Sequence, residues 1–134
     1  MRLFTEISVR TDKRNQMKDI TRQIMAGLDI QDVDHGALVV FVPHTTAGVT
    51  INENADPAVQ RDITGRLCQI SPDDPTYTHM EGNSDAHVKT TLTGSQILVP
   101  IENGKLLLGT WQGIYFCEYD GPRSRRCFGS VMRG

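Results

Sequence analysis

Three histidines stand where an imidazole is free to do chemistry. His44 comes just after the apolar run 37–42 and Pro43, while His79 and His87 bracket the segment HMEGNSDAH. A ring at the end of a rigid strand is held still while its nitrogens remain reachable. Neutral imidazole nitrogen is a preferred ligand of zinc and similar ions, and a three-histidine set leaves one position open for water or substrate. Gly82 lies between His79 and His87, so the segment can fold both rings inward. His87 falls in the first turn of an expected helix, whose positive end disfavours imidazolium and keeps the ring able to ligate. The spacing alone also fits acid/base or structural histidines. His35, in the polar stretch DVDHG, reads as a solvated loop residue.

Small polar groups surround these rings. Thr45 and Thr46 offer hydroxyls, Gly48 lets the backbone approach a ligand, and Asn52, Glu53 and Asn54 add amides and a carboxylate. The plain alternative is a loop whose side chains satisfy its own backbone. Gly82, Asn83 and Ser84, followed by Asp85, precede a helix, and backbone N–H groups at a helix start can seat an anion. An ordinary N-cap has the same composition. Arg123, Arg125 and Arg126 in DGPRSRR read as edge protection on a hairpin, although one reaching into a pocket would clamp a phosphate. Trp111 and Gln112 can stack and orient a ring, against the usual place of a lone Trp in the core. Glu53 and Asp85 are the candidate general bases.

The elements that must hold these groups follow from periodicity. Alternation predicts a strand over residues 3–10 and a turn over 11–15. Asp19 can cap a helix whose face is Ile20, Ile24 and Leu28. Residues 37–42 are apolar throughout, as in a strand covered on both faces. Asp56 and Pro57 open a helix with the stripe Val59, Ile63, Leu67 and Ile70. Residues 86–92 suggest a short helix. In the last third, Asn103-Gly104 signals a hairpin between 97–101 and 105–108. Residues 111–119 and 125–132 suggest a second pair around DGPR. This order predicts an α+β domain, mainly antiparallel, with two or three helices.

A chain of 134 residues fits a single domain over 1–134. Its net charge of −2, from 14 basic and 16 acidic residues, gives no basic field for a nucleic-acid partner. No apolar run reaches the ~18 residues of a membrane span, so no membrane partner is expected. Cys68, Cys117 and Cys127 have no C-x-x-C spacing, which favours a reducing compartment, the cytoplasm. Cys117 and Cys127 read as buried apolar residues rather than a pair facing across a hairpin.

The segments VPHTTAGVTINENADP, HMEGNSDAHVKTTLTG and GKLLLGTWQGIYFCEYDGPRSRR resemble the signatures of the YjbQ-like family, in order and over nearly the whole chain. The resemblance implies an α+β fold with a β-sandwich core, assembled as a homotrimer. It implies a pocket whose histidines bind a divalent metal in some members, and these fall on His44, His79 and His87. The family pattern also reaches Thr45, Thr46, Asn52, Glu53, Asn83, Trp111, Gln112 and Arg123. The associated activity is a secondary thiamine-phosphate synthase. It joins a hydroxymethylpyrimidine diphosphate to a thiazole phosphate and releases pyrophosphate.

The first expectation is therefore a metal-dependent, thiamine-phosphate synthase-like transferase acting on a small phosphorylated molecule. Phosphoester hydrolysis would use the same groups with water as acceptor. The alternatives are a trimer that binds a small ligand or a metal without turnover, and a structural trimer whose histidines only knit an interface.

Overall fold

The alternation in FTEISVR builds β1 (Phe4–Arg10), which turns Ile7 and Val9 into the core and leaves Phe4, Glu6 and Ser8 outside. The computed structural model describes residues 1–134 throughout. After β1 come β2 (Gln16–Asp19), α1 (Thr21–Ala26), β3 (His35–Phe41) and β4 (Ala47–Glu53). The helices α2 (Pro57–Ile70) and α3 (Ser84–Thr93) follow, then β5 (Gln96–Glu102), β6 (Lys105–Leu106), β7 (Gln112–Glu118) and β8 (Ser124–Arg133). The strands form a five-stranded sheet, β1-β8-β3-β5-β6, and a three-stranded sheet, β2-β7-β4, with every pairing antiparallel. The architecture is α+β, with three helices.

One cluster of 18 buried apolar residues joins the two sheets. Leu38 and Val40 of β3 and Val99 of β5 belong to it, with Val49 of β4 and Ile114 and Phe116 of β7; Ile20, Ile24 and Leu28 close one end around α1. Each full burial of a Val, Leu, Ile or Phe side chain contributes ~1.5–3 kcal/mol. An exposed ion pair contributes ~0–1 kcal/mol. The apolar cluster, not the surface charges, holds the sheets together.

Local signals are realised where they are strongest. Asp56 caps α2 by accepting from the Ala58 N–H at 2.9 Å, with Pro57 in the first turn. Asn103 and Gly104 take φ of 51° and 74°, the positive pair required by a two-residue hairpin turn. Asp19 accepts from the Thr21 N–H and hydroxyl, so it braces the start of α1 from one residue outside the cap.

Four expectations change. The segment AGVTINE is not a polar loop but the strand β4, paired along its length with β7 from Ala47 opposite Glu118 to Glu53 opposite Gln112. Gly48 serves packing rather than a ligand, because a Cβ there would meet Gly94 O at 2.4 Å. The strands around DGPR do not form a hairpin, since β7 lies in one sheet and β8 in the other. Finally, β3 is covered on one face only: Leu38 and Val40 are buried, while Phe41 is exposed on the outer face with Phe4, Leu98 and Met132. The three cysteines are unpaired, with Cys117 and Cys127 buried. No helix is long and apolar enough to cross a membrane.

Candidate active site

His44 sits where one ladder ends. The β3–β8 pairing stops at Phe41 opposite Phe128, and the Arg126 N–H two residues further back along β8 donates instead to His44 Nε2 at 3.1 Å. In a neutral ring with Nε2 accepting, the single proton sits on Nδ1. Burial, and then the charge of Arg125, holds the His44 pKa below its ordinary 6.5, which favours this neutral form. His35, by contrast, opens β3 rather than lying in a loop. Its Nδ1 meets a Glu102 carboxylate oxygen at 3.0 Å, and that hydrogen bond raises its pKa.

The other two rings come from the α3 region. His87 is on the helix, His79 lies in the segment before it, and their ring centres are 5.4 Å apart at an interplanar angle of 88°. Two imidazoles sharing one tetrahedral ion, each with N–metal of about 2.0–2.1 Å, have ring centres roughly 5 Å apart. The pair fits an ion on this measure; an edge-to-face aromatic contact has a similar separation. His44 does not complete the set here. Its Nε2 is engaged by the backbone and its Nδ1 carries the proton, and no three His, Cys, Asp or Glu side chains converge to hold an ion. The fit is to two imidazoles rather than the expected three.

All three rings nevertheless line one cavity of about 640 Å³, with Thr45, Thr46, Asn83 and Arg123. This size suits a small molecule. Only two of its 14 lining residues are hydrophobic, which favours a polar ligand. A second hollow of about 450 Å³ shares His44, Thr45 and His87 and adds Thr90. Two buried polar atoms lack any hydrogen-bond partner, Asn83 Oδ1 and Thr90 Oγ1, and both belong to residues lining these hollows. Burial without a partner costs ~1–3 kcal/mol per group.

A charged lattice fixes the cavity wall. Asp120 Oδ2 accepts from Asn83 Nδ2 and Arg123 Nη2, each at 2.8 Å, and Oδ1 from Arg14 Nη1 at 3.3 Å. Arg14 continues to Asp85, which also faces Lys89 Nζ at 3.7 Å. Beneath this, Glu118 and Arg125 form a buried pair with side chains 0% and 5% exposed. Burial alone would raise the Glu118 pKa. Hydrogen bonds from Arg125, the Asp120 N–H and Thr11 outweigh it and hold the carboxylate below its usual range.

Other sequence candidates lie elsewhere. Asp85 is buried in its ion pairs and does not line the cavity, so it is not placed as a general base. Asn52, Glu53, Trp111 and Gln112 lie at the far end of the β4–β7 pair, about 20 Å of strand from the Ala47–Glu118 end. From the GNSD segment only Asn83 lines the cavity. Gly82 bends the chain at φ 71° and Ser84 begins α3, whose cap makes no side-chain hydrogen bond. Glu81, Ser95 and Asp120 line the cavity without a sequence signal that picked them out, and Arg125 joins them as the second of the three arginines of DGPRSRR.

Fold and cavity together define a class: small two-sheet α+β proteins with a histidine- and arginine-lined hollow at the end of the strands. The chain belongs to the YjbQ-like UPF0047 family, whose model matches residues 5–134. It is 49% identical over 131 residues to the UPF0047 protein YugU of Bacillus subtilis, covering 97% of this chain and 99% of that one. It is 46% identical over 132 residues to a UPF0047 protein of Methanocaldococcus jannaschii, covering 98% and 96%. A crystal structure of an uncharacterised conserved protein of the YjbQ/UPF0047 family from Clostridium acetobutylicum superposes with a TM-score of 0.91 at 52% identity. It covers 96% of this chain and 99% of that one. A YbjQ-like protein from Sulfolobus solfataricus also gives 0.91 at 29% identity, covering 98% and 96%.

Proposed function

We propose that the protein is an enzyme acting on a small phosphorylated substrate, aided by a divalent ion, zinc or similar, on His79 and His87. The observation that carries this reading is the gathering of those two rings with His44, Asn83, Arg123 and Arg125 around one polar cavity. When bound, the ion would polarise a phosphoryl oxygen. Arg123, half exposed on the cavity wall, supplies positive charge to phosphate oxygens. The Nδ1–H of His44 offers a neutral donor on a ring already held by the backbone.

Thiamine-phosphate synthesis is the named candidate. In that displacement the C–O bond to the diphosphate breaks and pyrophosphate leaves with the electron pair. The thiazole nitrogen lone pair forms the new C–N bond. That nitrogen carries no proton, so no general base is required. The expected bases Glu53 and Asp85 are absent from the cavity and Asp120 is committed to three donors. Glu81 is then the one lining carboxylate without an ion-pair partner, and the displacement does not call on it. The reading includes a homotrimer, which the exposed apolar face around Phe4, Phe41, Leu98 and Met132 supports, and a cytoplasmic setting, which three unpaired thiols support.

Elemental analysis of protein purified with metal present, joined to a crystal structure soaked with a pyrimidine diphosphate, tests this. The expected result is an ion on His79 and His87 with the diphosphate beside Arg123. A metal-free protein whose cavity excludes the diphosphate would leave only a structural role. Binding without turnover would leave a ligand-capturing trimer.

A further inference from the structure

We propose that Arg125, rather than Arg123, is the anchor for the anionic group of the ligand, with Glu118 as the strut that aims it. The inference rests on the reading of the cavity as a phosphate-binding site and names the residue that makes it specific for an oxyanion.

A guanidinium has five N–H donors in a fixed plane. In Arg125 the donors on Nε and Nη2 are spoken for. Nε donates to Glu118 Oε1 at 2.9 Å, and Nη2 donates to Glu118 Oε2 and to Thr46 Oγ1 at 2.8 Å, with Thr46 O at 3.3 Å. Nη1 takes part in none of these bonds, and the residue lines the cavity. Two N–H donors are therefore unclaimed within the protein, on a side chain only 5% exposed that borders this cavity and a neighbouring hollow beside His44 and Arg126.

Glu118 is itself fully engaged. Besides Arg125 it accepts from Thr11 Oγ1 at 2.8 Å, the Tyr119 N–H at 3.1 Å and the Asp120 N–H at 3.0 Å. Its carboxylate has no lone pair left to compete for a ligand's cation, and it fixes the guanidinium plane from the side away from Nη1. Arg123 differs. It is half exposed, and its Nε and Nη2 are turned back onto Asp120 of its own segment. A preorganised buried donor pair discriminates an oxyanion better than an exposed side chain that must be ordered on binding. The plain alternative is that the Glu118–Arg125 pair is structural only and its Nη1 meets solvent.

The test uses full-length protein with 15N-labelled arginine, titrated with inorganic pyrophosphate. The Arg125 side-chain signal, assigned through the backbone, should shift and saturate with the same dissociation constant as the 31P signal of pyrophosphate. Arg125→Lys, checked for folding by circular dichroism, should weaken binding at least ten-fold, and Arg123→Ala should weaken it less. If pyrophosphate binds while the Arg125 signal stays still, or binds equally well to folded Arg125→Lys, Arg125 is not the anchor and the phosphate reading stands without it. If pyrophosphate does not bind the wild-type protein, the phosphate reading falls and this inference with it. The wild-type titration decides the matter even if the lysine variant does not fold.

Discussion

The Arg126 N–H donates to His44 Nε2 at 3.1 Å, so an imidazole takes over a β8 hydrogen bond just beyond the last β3 pairing. This one bond makes His44 part of the sheet and of the cavity wall at once. It also sets the tautomer, because a ring that accepts at Nε2 and is neutral must carry its proton on Nδ1.

The tautomer has a pH consequence. The His44 pKa is lowered by burial and then by Arg125, so the folded state binds this proton less readily than the unfolded chain. Its contribution to stability is present above the ordinary value of about 6.5 and is lost as pH falls from there through the folded pKa. His35 has the opposite sign. Its pKa is raised by Glu102, and its contribution is present below about 6.5 and lost as pH rises through the folded value. NMR titration of the ring protons should find His44 below and His35 above 6.5. Equal midpoints would remove the distinction.

Glu118 and Arg125 should dominate any mutational test of the core beneath the cavity. Removing one partner leaves a buried unpaired charge, so Glu118→Ala should cost about 3–5 kcal/mol in urea unfolding. The double replacement Glu118→Leu with Arg125→Met should cost clearly less than the sum of the two singles. Additive losses would mean that the two side chains do not act as a pair.

How far the sequence foretold this arrangement depends on how local each signal was. The α2 start at Asp56-Pro57 and the β5–β6 turn at Asn103-Gly104 were legible because a few adjacent residues dictate them. The strand β4 was not, because its outward Thr50 and Asn52 make the segment look like a polar loop and its partner β7 lies far along the chain. That one misreading also moved Asn52 and Glu53 into the imagined pocket. The β7–β8 pairing failed because proximity in sequence suggested a hairpin, while burial sends the two strands to different sheets. His44, His79, His87, Asn83 and Arg123 were singled out from residue type and context, and all five line one cavity. Arg125 was named only as one of three arginines that could clamp a phosphate, and the signal that separates it from Arg123 and Arg126 went unread. Cys127, Gly129 and Val131 face inward at every second position, and Arg125 is the next step of that series.

Arg123 should matter modestly. Its guanidinium is half exposed, so Arg123→Ala should weaken phosphate binding roughly five-fold at low ionic strength. The difference should shrink as salt rises. Calorimetric titrations at two salt concentrations check this, and an unchanged affinity at both would remove Arg123 from the site.

The outer face of the larger sheet should govern assembly. Phe4, Phe41, Leu98 and Met132 are exposed in the single chain, a surface that a soluble protein ordinarily covers. Leu98→Glu should convert a trimer to monomers in analytical ultracentrifugation while circular dichroism stays unchanged. A wild-type protein that sediments as a monomer would contradict the trimeric reading.

The most direct measurement is the turnover of a pyrimidine diphosphate with a thiazole phosphate, followed by pyrophosphate release in the presence of a divalent metal. Wild-type protein should turn over, and His79→Ala and His87→Ala, each folded, should lose roughly 100-fold or more. Absence of turnover in the wild type, or turnover that survives loss of both histidines, would contradict a catalytic role for the cavity.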